Sequence, residues 1–574
     1  MTVPIFPFRA ILCAFIFAAQ LHASGPNVIL IMTDDQGYGD IGANGNTMIR
    51  TPNLDRLHAE SVRFTNFHVD PTCSPTRAAL MTGRYSTRAG VWHTIGGRSL
   101  MFRDETTMAE VFSANGYATG IFGKWHLGDN YPMRPQDRGF QQTFIHGGGG
   151  VGQTPDVWGN DYLDDTYLVN GTPTHFDGYC TDVFFDGARK YIESVPVEKP
   201  FFVSLTPNVP HSPYTAPAGF EQYYIDKGVP QPMAAFYAMI EGFDADLGRL
   251  LSWLDEKGLG RNTIIVFLTD NGSAAGASAP ANAAWRGFNA GMRGQKGMQY
   301  EGGHRVPLFI RWPDGNLGAP RDIDTLAAHF DILPTLVDLC GLKFTPQNPI
   351  DGRSLAPLLR NNGTDWPERT LFVHLQREET PPKWKNSAAM TQQWRLIDGK
   401  SLYDMAIDPG QTRDVAAAHP DVVRDLTAAY ETWWIGLEPA FSRFANIVVG
   451  NDAANPVQLT CHDWHPTAGA VPWDHNTIKK DPIANGWWMI DVSKEGRYEF
   501  TLRRRPEVDP LPLLGTTARL RVGDVEGGAE VSASAPSVTV TLDLPAGPAR
   551  LQTWLTTGGS KDERGAYFVE VRRL

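Results

Sequence analysis

Short runs of consecutive apolar residues recur in the first half of the chain, and each run ends in a polar loop. Four of them cover residues 27–32, 117–122, 200–205 and 263–268. Apolar runs of this length are typical of strands buried on both faces of a parallel sheet. The chain is therefore expected to contain a central sheet of buried, mainly parallel strands.

Segments with apolar residues at helical spacing lie between these runs. The clearest covers residues 233–257, where an apolar stripe extends from Phe236 to Leu254. Another helix is expected over about 106–114, and a third begins at Pro52. The alternation of strands and helices predicts an α/β fold in which helices flank a mainly parallel sheet.

The pattern changes in the last third of the chain. A small strand group and an amphipathic helix predict an α+β subdomain over 366–445, after an α/β domain over 24–365. Beyond it, apolar and polar residues alternate with a period of two, as in 488–492 and 538–544. This alternation predicts an appended all-β, sandwich-like domain over 446–574.

The first 23 residues have the pattern of a secretory signal. Arg9 precedes an apolar run over 10–19, and small residues follow near Ala23. The run is too short to span a bilayer, so a cleaved signal peptide over 1–23 is expected. No later segment is long and apolar enough to cross a membrane. These features predict a periplasmic or secreted protein.

Composition narrows the range of partners. The 574 residues are 42% hydrophobic and 20% charged, as in soluble globular proteins. A formal net charge of −12 argues against nucleic acid as a partner, although local cations could still bind an anionic substrate. Cleavage of the signal would leave four cysteines, too few for a disulfide framework, so at most one pair is expected among them.

Oxygen-bearing side chains follow two of the buried runs. Asp34 and Asp35 come after the first, and Asp270 and Asn271 come after the run over 263–268. Ligands bind at the carboxyl ends of strands in open α/β sheets. Three carboxylates and one amide oxygen suit a hard cation, Ca²⁺ or Mg²⁺. Either pair alone is more often a turn, but their occurrence together favours a metal site.

A third polar segment contains Cys73, with Pro75 and Arg77 close behind it. Proline disfavours the helical conformation of the residue before it, so Cys73 is expected on a turn that enters a helix. Arg77 would lie one turn further on and point back toward Cys73. A helix entrance beside a guanidinium can bind an anion. Taken alone, Cys73 could equally be a buried core thiol.

Extended to the Leu-Met-Thr-Gly-Arg that ends at Arg84, the Cys73 segment resembles the signature of the formylglycine-dependent (type I) sulfatases, in the alkaline phosphatase-like superfamily. Further family motifs follow in order: Gly-Lys-Trp-His with Lys124 and His126, Pro-His-Ser-Pro with His211, and Gly-Gln-Lys with Lys296. The resemblance covers residues 27 to about 437. Threonine replaces the more frequent serine before the arginine of the signature, at a position that the pattern leaves free.

The resemblance implies that Cys73 is oxidised to formylglycine (3-oxoalanine) by a formylglycine-generating or anaerobic sulfatase-maturating enzyme. One hydroxyl of the hydrated aldehyde would attack sulfur, and the other would then lose its proton and expel sulfate. The resemblance also implies that residue 73 and the substrate's sulfate bind Ca²⁺, or Mg²⁺, together with four side chains: Asp34, Asp35, Asp270 and Asn271.

The resemblance assigns roles to the cations as well. Arg77 would hold the aldehyde hydrate and the metal ligands in place. Lys124, His211 and Lys296 would contact the sulfate, and His211 or Lys296 would protonate the leaving oxygen. His126 would assist turnover of the hydrate. The weaker candidates for substrate contact, each of which could equally be scaffold, are Trp92, His93, Arg98, His146, His304 and Arg305.

The expected function is therefore that of a secreted sulfatase acting on a sulfated polysaccharide or glycan. A phosphoester or phosphonate monoester hydrolase is the alternative, because such enzymes share the fold and can share the aldehyde. A silent lectin-like protein would be expected to lack some of the metal and cationic residues, and none is missing here. Four aromatic residues of the last domain could stack on sugars, although tryptophans in sandwiches are more often core residues: Trp464, His465, Trp473 and Trp487.

Overall fold

The structure is a computed structural model that describes residues 25–277, 287–361, 366–513, 516–556 and 563–574. The signal peptide predicted over 1–23 lies outside the described residues. None of the helices in the described ranges has the length and apolar character needed to cross a membrane. All four cysteines in these ranges are free, so no disulfide joins them.

Ten of the described strands form the largest sheet. With strands numbered in chain order, they are β1 (Asn27–Thr33), β2 (Val62–Phe64), β4 (Ala118–Gly123), β5 (Gln142–Ile145), β6 (Thr166–Val169), β7 (Thr172–His175), β8 (Phe201–Thr206), β9 (Thr263–Thr269), β10 (Leu308–Arg311) and β11 (Arg321–Ile323). Their order across the sheet is β11-β2-β10-β9-β1-β8-β4-β5-β6-β7. The short strands β3 (Phe67–His68) and β12 (Ala327–Ala328) pair with each other.

The five central strands are parallel, as the apolar runs predict. β1 pairs with β9 on one side and with β8 on the other, and β4 continues the parallel set to β5. The four predicted runs become β1, β4, β8 and β9, with ends shifted by no more than one residue. Antiparallel neighbours β10 and β6 flank this parallel centre. The mainly parallel α/β fold is confirmed.

Helices cover both faces of the sheet because side chains alternate along each strand. In the described residues the helices are α1 (Pro52–Glu60), α2 (Cys73–Thr82), α3 (Met108–Ala114), α4 (Cys180–Ser194), α5 (Glu221–Asp226), α6 (Met233–Glu256), α7 (Glu301–His304), α8 (Ile332–Cys340), α9 (Ala356–Leu359), α10 (Pro420–Ile435), α11 (Glu438–Phe441) and α12 (His475–Lys479). Leu30 of β1 belongs to the core shared with α2, α3 and α8. Its neighbour Ile31 belongs to the core shared with α1, α4 and α6.

A second, smaller sheet follows the large one. It consists of β13 (Leu371–His374), β14 (Ser387–Met390), β15 (Trp394–Ile397) and β16 (Ser401–Asp404), all antiparallel. α10 packs its aromatic face on this sheet, with Tyr430 and Trp433 against Phe372. This arrangement is the α+β unit that the sequence predicts, although the boundaries at 365 and 445 stay predictions.

The remaining described strands form two antiparallel sheets that face each other, apart from one parallel pair. One holds β17 (Ile447–Val449), β19 (His465–Ala468), β20 (Asn485–Val492), β22 (Thr517–Val522), β23 (Val525–Glu530), β25 (Gly547–Thr556) and β26 (Glu563–Arg564). The other holds β18 (Val457–Thr460), β21 (Gly496–Arg503), β24 (Ser537–Leu544) and β27 (Phe568–Arg573).

The core of this sandwich extends into the α/β part of the molecule. Its buried cluster includes Trp464 and Trp488 together with Leu100, Phe102 and Met133 from the loops near the large sheet. Trp464 is therefore a core residue, as expected for most tryptophans of a sandwich. Trp487 is half-buried and Trp473 is exposed, so the core expectation is wrong for Trp473. Because apolar side chains of both parts share one cluster, the sandwich is held against these loops.

Candidate active site

The carboxylates predicted to bind a metal meet where β1 and β9 end. Thr33 is the register partner of Thr269, so the two polar segments that follow leave the sheet side by side. The backbone N–H of Asp35 donates to Asp270 Oδ1 at 3.0 Å. The Asn271 side-chain amide donates to Asp35 Oδ1, also at 3.0 Å. The parallel register thus brings together groups separated by 235 residues.

Cys73 begins α2 beside this group, as the sequence predicts. It is 3% exposed, and its Sγ lies within 4.8 Å of carboxylate oxygens of Asp34 and Asp270. Burial raises the pKa of the Cys73 thiol, so the unmodified side chain is a neutral thiol at neutral pH. A buried neutral thiol is a weak nucleophile.

Arg77 is directed at a metal-site carboxylate. Its Nε and Nη2 donate to Asp270 Oδ2 at 3.2 and 2.8 Å, and Nη1 donates to the Lys124 carbonyl at 3.0 Å. Both Arg77 and Asp270 are buried. These two hydrogen bonds to one oxygen, with the bond from Asp35 N–H to the other, fix the orientation of the carboxylate. Arg77 therefore orients Asp270 at the edge of the site.

Three further cationic candidates converge on the other two carboxylates. Lys124 Nζ lies 2.6 Å from Asp34 Oδ2, and Lys296 Nζ lies 2.5 Å from Asp35 Oδ1. His211 Nε2 is 3.9 Å from Asp35 Oδ2. The structure thus brings together side chains from the ends of β1, β4, β8 and β9 and from the segment before α7.

The protonation states follow from burial and from these pairs. Burial, reinforced by Asp270, raises the pKa of Asp34. Burial also acts to raise the pKa of Asp35, but Lys296 and His211 outweigh it and hold that pKa below its ordinary value. Burial lowers the pKa of His211 to about 3, so its imidazole is neutral at neutral pH. Asp35 raises the pKa of Lys296 against the effect of burial, and this lysine stays charged.

The oxygen atoms at the site fit a hard divalent cation. Asp34 Oδ1 and Asn271 Oδ1 are buried and have no hydrogen-bond partner among the described residues. Buried oxygens without partners are costly, and here they stand beside two further carboxylates. Carboxylate and amide oxygens are the ligands of Ca²⁺ and Mg²⁺. The residues present therefore suit a bound cation, which would offset the crowding of negative charge.

His126 has a left-handed backbone conformation, with φ 61°. Its carbonyl accepts a hydrogen bond from Ser74 Oγ at 2.8 Å, and its Nε2 is 2.9 Å from the Thr94 carbonyl. Burial, then Lys124 and His462, lowers the pKa of His126 well below its ordinary value. The neutral ring donates from Nε2, which leaves Nδ1 as a buried lone pair without a partner among the described residues.

A glycine-rich segment, residues 147–150, lies directly on two of these histidines. A Cβ on Gly149 would lie 2.2 Å from the His126 ring, and one on Gly150 would lie 3.0 Å from His211 Nδ1. The backbone approaches both rings so closely that no side chain fits at the first position. The glycines therefore allow this loop to cover the histidines.

Two of the weaker candidates belong to the scaffold. His304 is fully buried, and its Nδ1 lies 2.9 Å from His68 Nδ1. The Arg305 guanidinium donates to the Thr65 carbonyl. Arg98 forms an ion pair with Glu379 and stacks on Trp92, so these two stabilise the loop that carries His93.

Two residues near the site were missed by sequence reasoning. His462, from the turn Cys461–Asp463 before β19, is buried with its ring centroid 6.1 Å from that of His126. Arg377, from the loop after β13, donates to Thr94 Oγ1 at 2.5 Å. Neither belongs to a motif, and both are several hundred residues from Cys73 and its neighbours. No signal in the sequence could have placed them here.

Comparisons with known proteins agree with this geometry. The sequence profile of the family described as Sulfatase matches residues 26–342, and the N-sulphoglucosamine sulphohydrolase C-terminal profile matches residues 293–431. Human arylsulfatase A is 32% identical over 480 residues, which cover 73% of this chain and 89% of the relative. Mouse steryl-sulfatase is 27% identical over 553 residues, covering 76% and 87% of the two chains.

Among solved structures, the crystal structure of Ps i-CgsB in complex with k-i-k-neocarrahexaose is similar, with a TM-score of 0.63 and 27% identity. The match covers 74% of this chain and 95% of that one. The similarity therefore extends over nearly the whole length of a solved relative.

Proposed function

The chain belongs to the sulfatase family and is a sulfuric ester hydrolase, and we propose that it removes sulfate from a polysaccharide or glycan, using a formylglycine made from Cys73. The observation that carries this proposal is the position of Cys73 at the start of α2, with its Sγ within 4.8 Å of two buried carboxylates. The cations Lys124 and Lys296 bind the neighbouring carboxylates. An anionic sulfate could displace part of these contacts and gain charge-assisted hydrogen bonds.

Sulfatases are metal-dependent, and we infer that the ion here is Ca²⁺, with Mg²⁺ as the alternative. Asp34, Asp35, Asp270 and Asn271 would hold it, together with residue 73. When bound, the ion would supply positive charge that polarises the sulfate and favours the reactive form of the aldehyde hydrate. Two oxygens without partners, Asp34 Oδ1 and Asn271 Oδ1, support this assignment.

The chain's own residues supply the remaining chemistry. Lys296 stays charged beside Asp35, so it can stabilise negative charge on the sulfate or protonate the leaving oxygen. His211 is neutral in the substrate-free protein, so a role as acid requires that the arriving sulfate raise its pKa. The buried lone pair on His126 Nδ1 suits a base that accepts the proton released when the hydrate expels sulfate.

A glycan substrate is supported by the relatives. Ps i-CgsB was crystallised with k-i-k-neocarrahexaose, and it shares 27% identity with this chain. The secretory pattern over 1–23 supports a periplasmic or secreted location, where such polymers occur. There the enzyme would depend on a formylglycine-generating or anaerobic sulfatase-maturating enzyme for the oxidation of Cys73.

Mass spectrometry of the peptide spanning residue 73 tests the nucleophile directly. Active protein should carry an aldehyde, or its hydrate, in place of the thiol. Cys73→Ala should lower kcat on aryl sulfates by at least about 10⁴-fold, because the covalent step is lost. Cys340→Ala, which changes a partly exposed cysteine of α8, should keep its activity.

Kinetic assays on aryl esters also distinguish a sulfatase from a phosphoester or phosphonate monoester hydrolase. Matched aryl sulfate and aryl phosphate esters should show a clear preference for the sulfate. Full activity with an unmodified Cys73 thiol would contradict the proposed nucleophile. A clear preference for phosphate or phosphonate esters would instead favour the phosphoester hydrolase alternative.

A further inference from the structure

Arg377 is a cation at the mouth of the site that has no carboxylate partner among the described residues. It lies in the loop that follows β13, and its side chain is exposed. Its Nη1 donates to Thr94 Oγ1 at 2.5 Å and lies 3.4 Å from His93 Nδ1. Its Nε and Nη2 donate to no described residue. The free edge of the guanidinium is the edge that binds carboxylate or sulfate in a bidentate manner.

The acidic neighbours of Arg377 are already paired with other cations. Glu378 forms an ion pair with Lys385, and Glu379 pairs with both Arg98 and His465. Neither carboxylate therefore neutralises Arg377. An arginine kept without a partner in a loop of this kind is available to an anionic ligand.

A single residue, Thr94, contacts both Arg377 and His126. Thr94, whose hydroxyl accepts from Arg377, also accepts from His126 Nε2 through its carbonyl. Thr94 thus joins the exposed guanidinium to the imidazole proposed to assist turnover of the hydrate.

His93 adds a second donor beside Arg377. Its Nδ1 accepts hydrogen bonds from the backbone N–H groups of Thr94 and Ile95, at 2.7 and 3.1 Å. The ring is neutral because burial, then Arg377 and His462, lowers its pKa to about 3. The proton must then be on Nε2, which donates to none of the described residues. The wall formed by Arg377 and His93 thus presents donors to the cleft.

The β-sandwich holds this wall in place. The N–H of Gly96 donates to the His462 carbonyl at 2.9 Å, and the His465 ring packs against Gly97 so closely that a Cβ there would lie 2.4 Å from it. His465 also binds Glu379, two residues after Arg377. Both loops of the donor wall are therefore fixed by His462 of the turn before β19 and by His465, the first residue of β19.

We propose that Arg377, with His93 beside it, binds a second anionic group on the substrate, a sulfate or a carboxylate close to the ester that is cleaved. The proposal rests on the sulfatase function proposed above and specifies its substrate as one with at least two anionic groups. Lys124, His211 and Lys296 would take the scissile sulfate. Arg377 would take the neighbouring charge, and the sandwich would set the distance between the two.

Kinetics on matched oligosaccharide pairs tests this assignment. Both members of a pair have the same sugars and the same scissile sulfate, and one carries an additional group on the adjacent position. One pair uses a second sulfate and the other a uronic carboxylate. Wild-type enzyme should prefer the doubly charged member of at least one pair by about tenfold or more in kcat/KM. The pair that shows the preference identifies the anion.

Substitutions assign the preference to Arg377. Arg377→Met should reduce the ratio of the two kcat/KM values to near one, and Arg377→Lys should retain part of it because the charge remains. Arg424→Met is the matched control, since Arg424 is exposed on α10 and pairs with Asp425. It should leave the ratio unchanged. Melting temperatures of all variants would show that they fold.

The results that would overturn the proposal are distinct from a failure of the sulfatase function. Equal kcat/KM values within both pairs for the wild type would refute the second anion site while the enzyme still removes sulfate. The role of Arg377 would be refuted if the ratio of the two kcat/KM values were unchanged in both Arg377→Met and Arg377→Lys. It would also be refuted if the substitutions lowered kcat/KM equally for both members of a pair. No desulfation of any member or of an aryl sulfate would refute the proposed function itself, and the inference with it.

Discussion

At the scale of the residue, the site is a set of charges that are paired before any substrate arrives. Asp34 binds Lys124, Asp35 binds Lys296 and Asp270 binds Arg77. Buried pairs of this kind repay little of their desolvation cost, so they are weak evidence for stability. Their value is orientation: each cation fixes one carboxylate, and Asp35 keeps Lys296 charged.

Metal removal should therefore destabilise the folded protein. Three carboxylates remain crowded without the ion, and an ion that binds only the folded state adds about 2.7 kcal/mol at a concentration 100 times its dissociation constant. We expect Ca²⁺ or Mg²⁺ added to chelator-treated protein to raise the free energy of unfolding, measured by urea denaturation. Asp34→Asn should lose at least about half of this increase.

Asp524→Asn, an exposed substitution in the sandwich, is the control for this measurement and should respond to metal like the wild type. An identical response of Asp34→Asn would place the ion elsewhere. No response to any divalent cation would contradict the proposed site.

At the scale of the element, a run of four glycines at residues 147–150 determines how His126 and His211 are held. Gly149 and Gly150 lie on His126 and His211, and the segment is anchored by its own polar residues. Gly149 N donates to Gln153 Oε1 at 2.9 Å, and Gly147 N donates to Asp156 Oδ1 at 3.1 Å. The loop therefore positions the rings through close backbone contact.

Gly149→Ala should impair catalysis by displacing His126. The added Cβ would lie 2.2 Å from the ring, so the loop or the ring must move. A displacement of about 1 Å can lower kcat by about 10- to 100-fold. Steady-state kinetics on an aryl sulfate measures this loss. Gly410→Ala is the control, because the nearest contact of the new Cβ is 3.2 Å away. Its kcat should stay within about twofold of the wild-type value.

Retention of full activity by Gly149→Ala would show that His126 can move without cost. The ring would then be a structural residue rather than part of the turnover of the hydrate.

At the scale of the whole molecule, three sheets meet around the cleft. The large sheet supplies the carboxylates, the loop after β13 supplies Arg377, and the turn before β19 supplies His462. Buried histidines lie at the joints between these parts. His374 of β13 is one of them: its Nε2 is 2.7 Å from Thr87 Oγ1, and its ring packs on Trp433 of α10.

His374 should make stability depend on pH. Burial lowers its pKa from 6.5 to about 4, so between these values the unfolded chain binds more protons than the folded one. Its contribution to stability is complete above about pH 6.5 and is lost as the pH falls toward 4. His374→Phe should thus be less stable than the wild type at pH 7, by an amount that shrinks by about 2 kcal/mol at pH 4.5.

Urea denaturation of both proteins at several pH values measures this difference. Leu371→Ala, which truncates a buried side chain of β13 that does not titrate, should differ from the wild type by the same amount at each pH. A constant difference between wild type and His374→Phe across this range would mean that folding does not lower the pKa of His374.

The sequence by itself determined most of the fold and the composition of the inner site. Buried runs become β1, β4, β8 and β9 because continuous apolar character fits strands covered on both faces. Asp34, Asp270 and Lys124 could be located because each directly follows such a strand, and strand ends share one edge of a parallel sheet. The Cys73 segment is likewise local, since Pro75 and its neighbours set the start of α2.

Only the tertiary structure decided which further residues surround Cys73, the carboxylates and their cations. His462 and Arg377 reach the cleft through loops whose course depends on how the sandwich and the small sheet pack against the large one. Such contacts join residues hundreds of positions apart and leave no periodicity or spacing in the sequence. The local sequence pattern indicates which residues lie on each face and at each end of a strand or helix. The packing of whole sheets determines which loops contact one another.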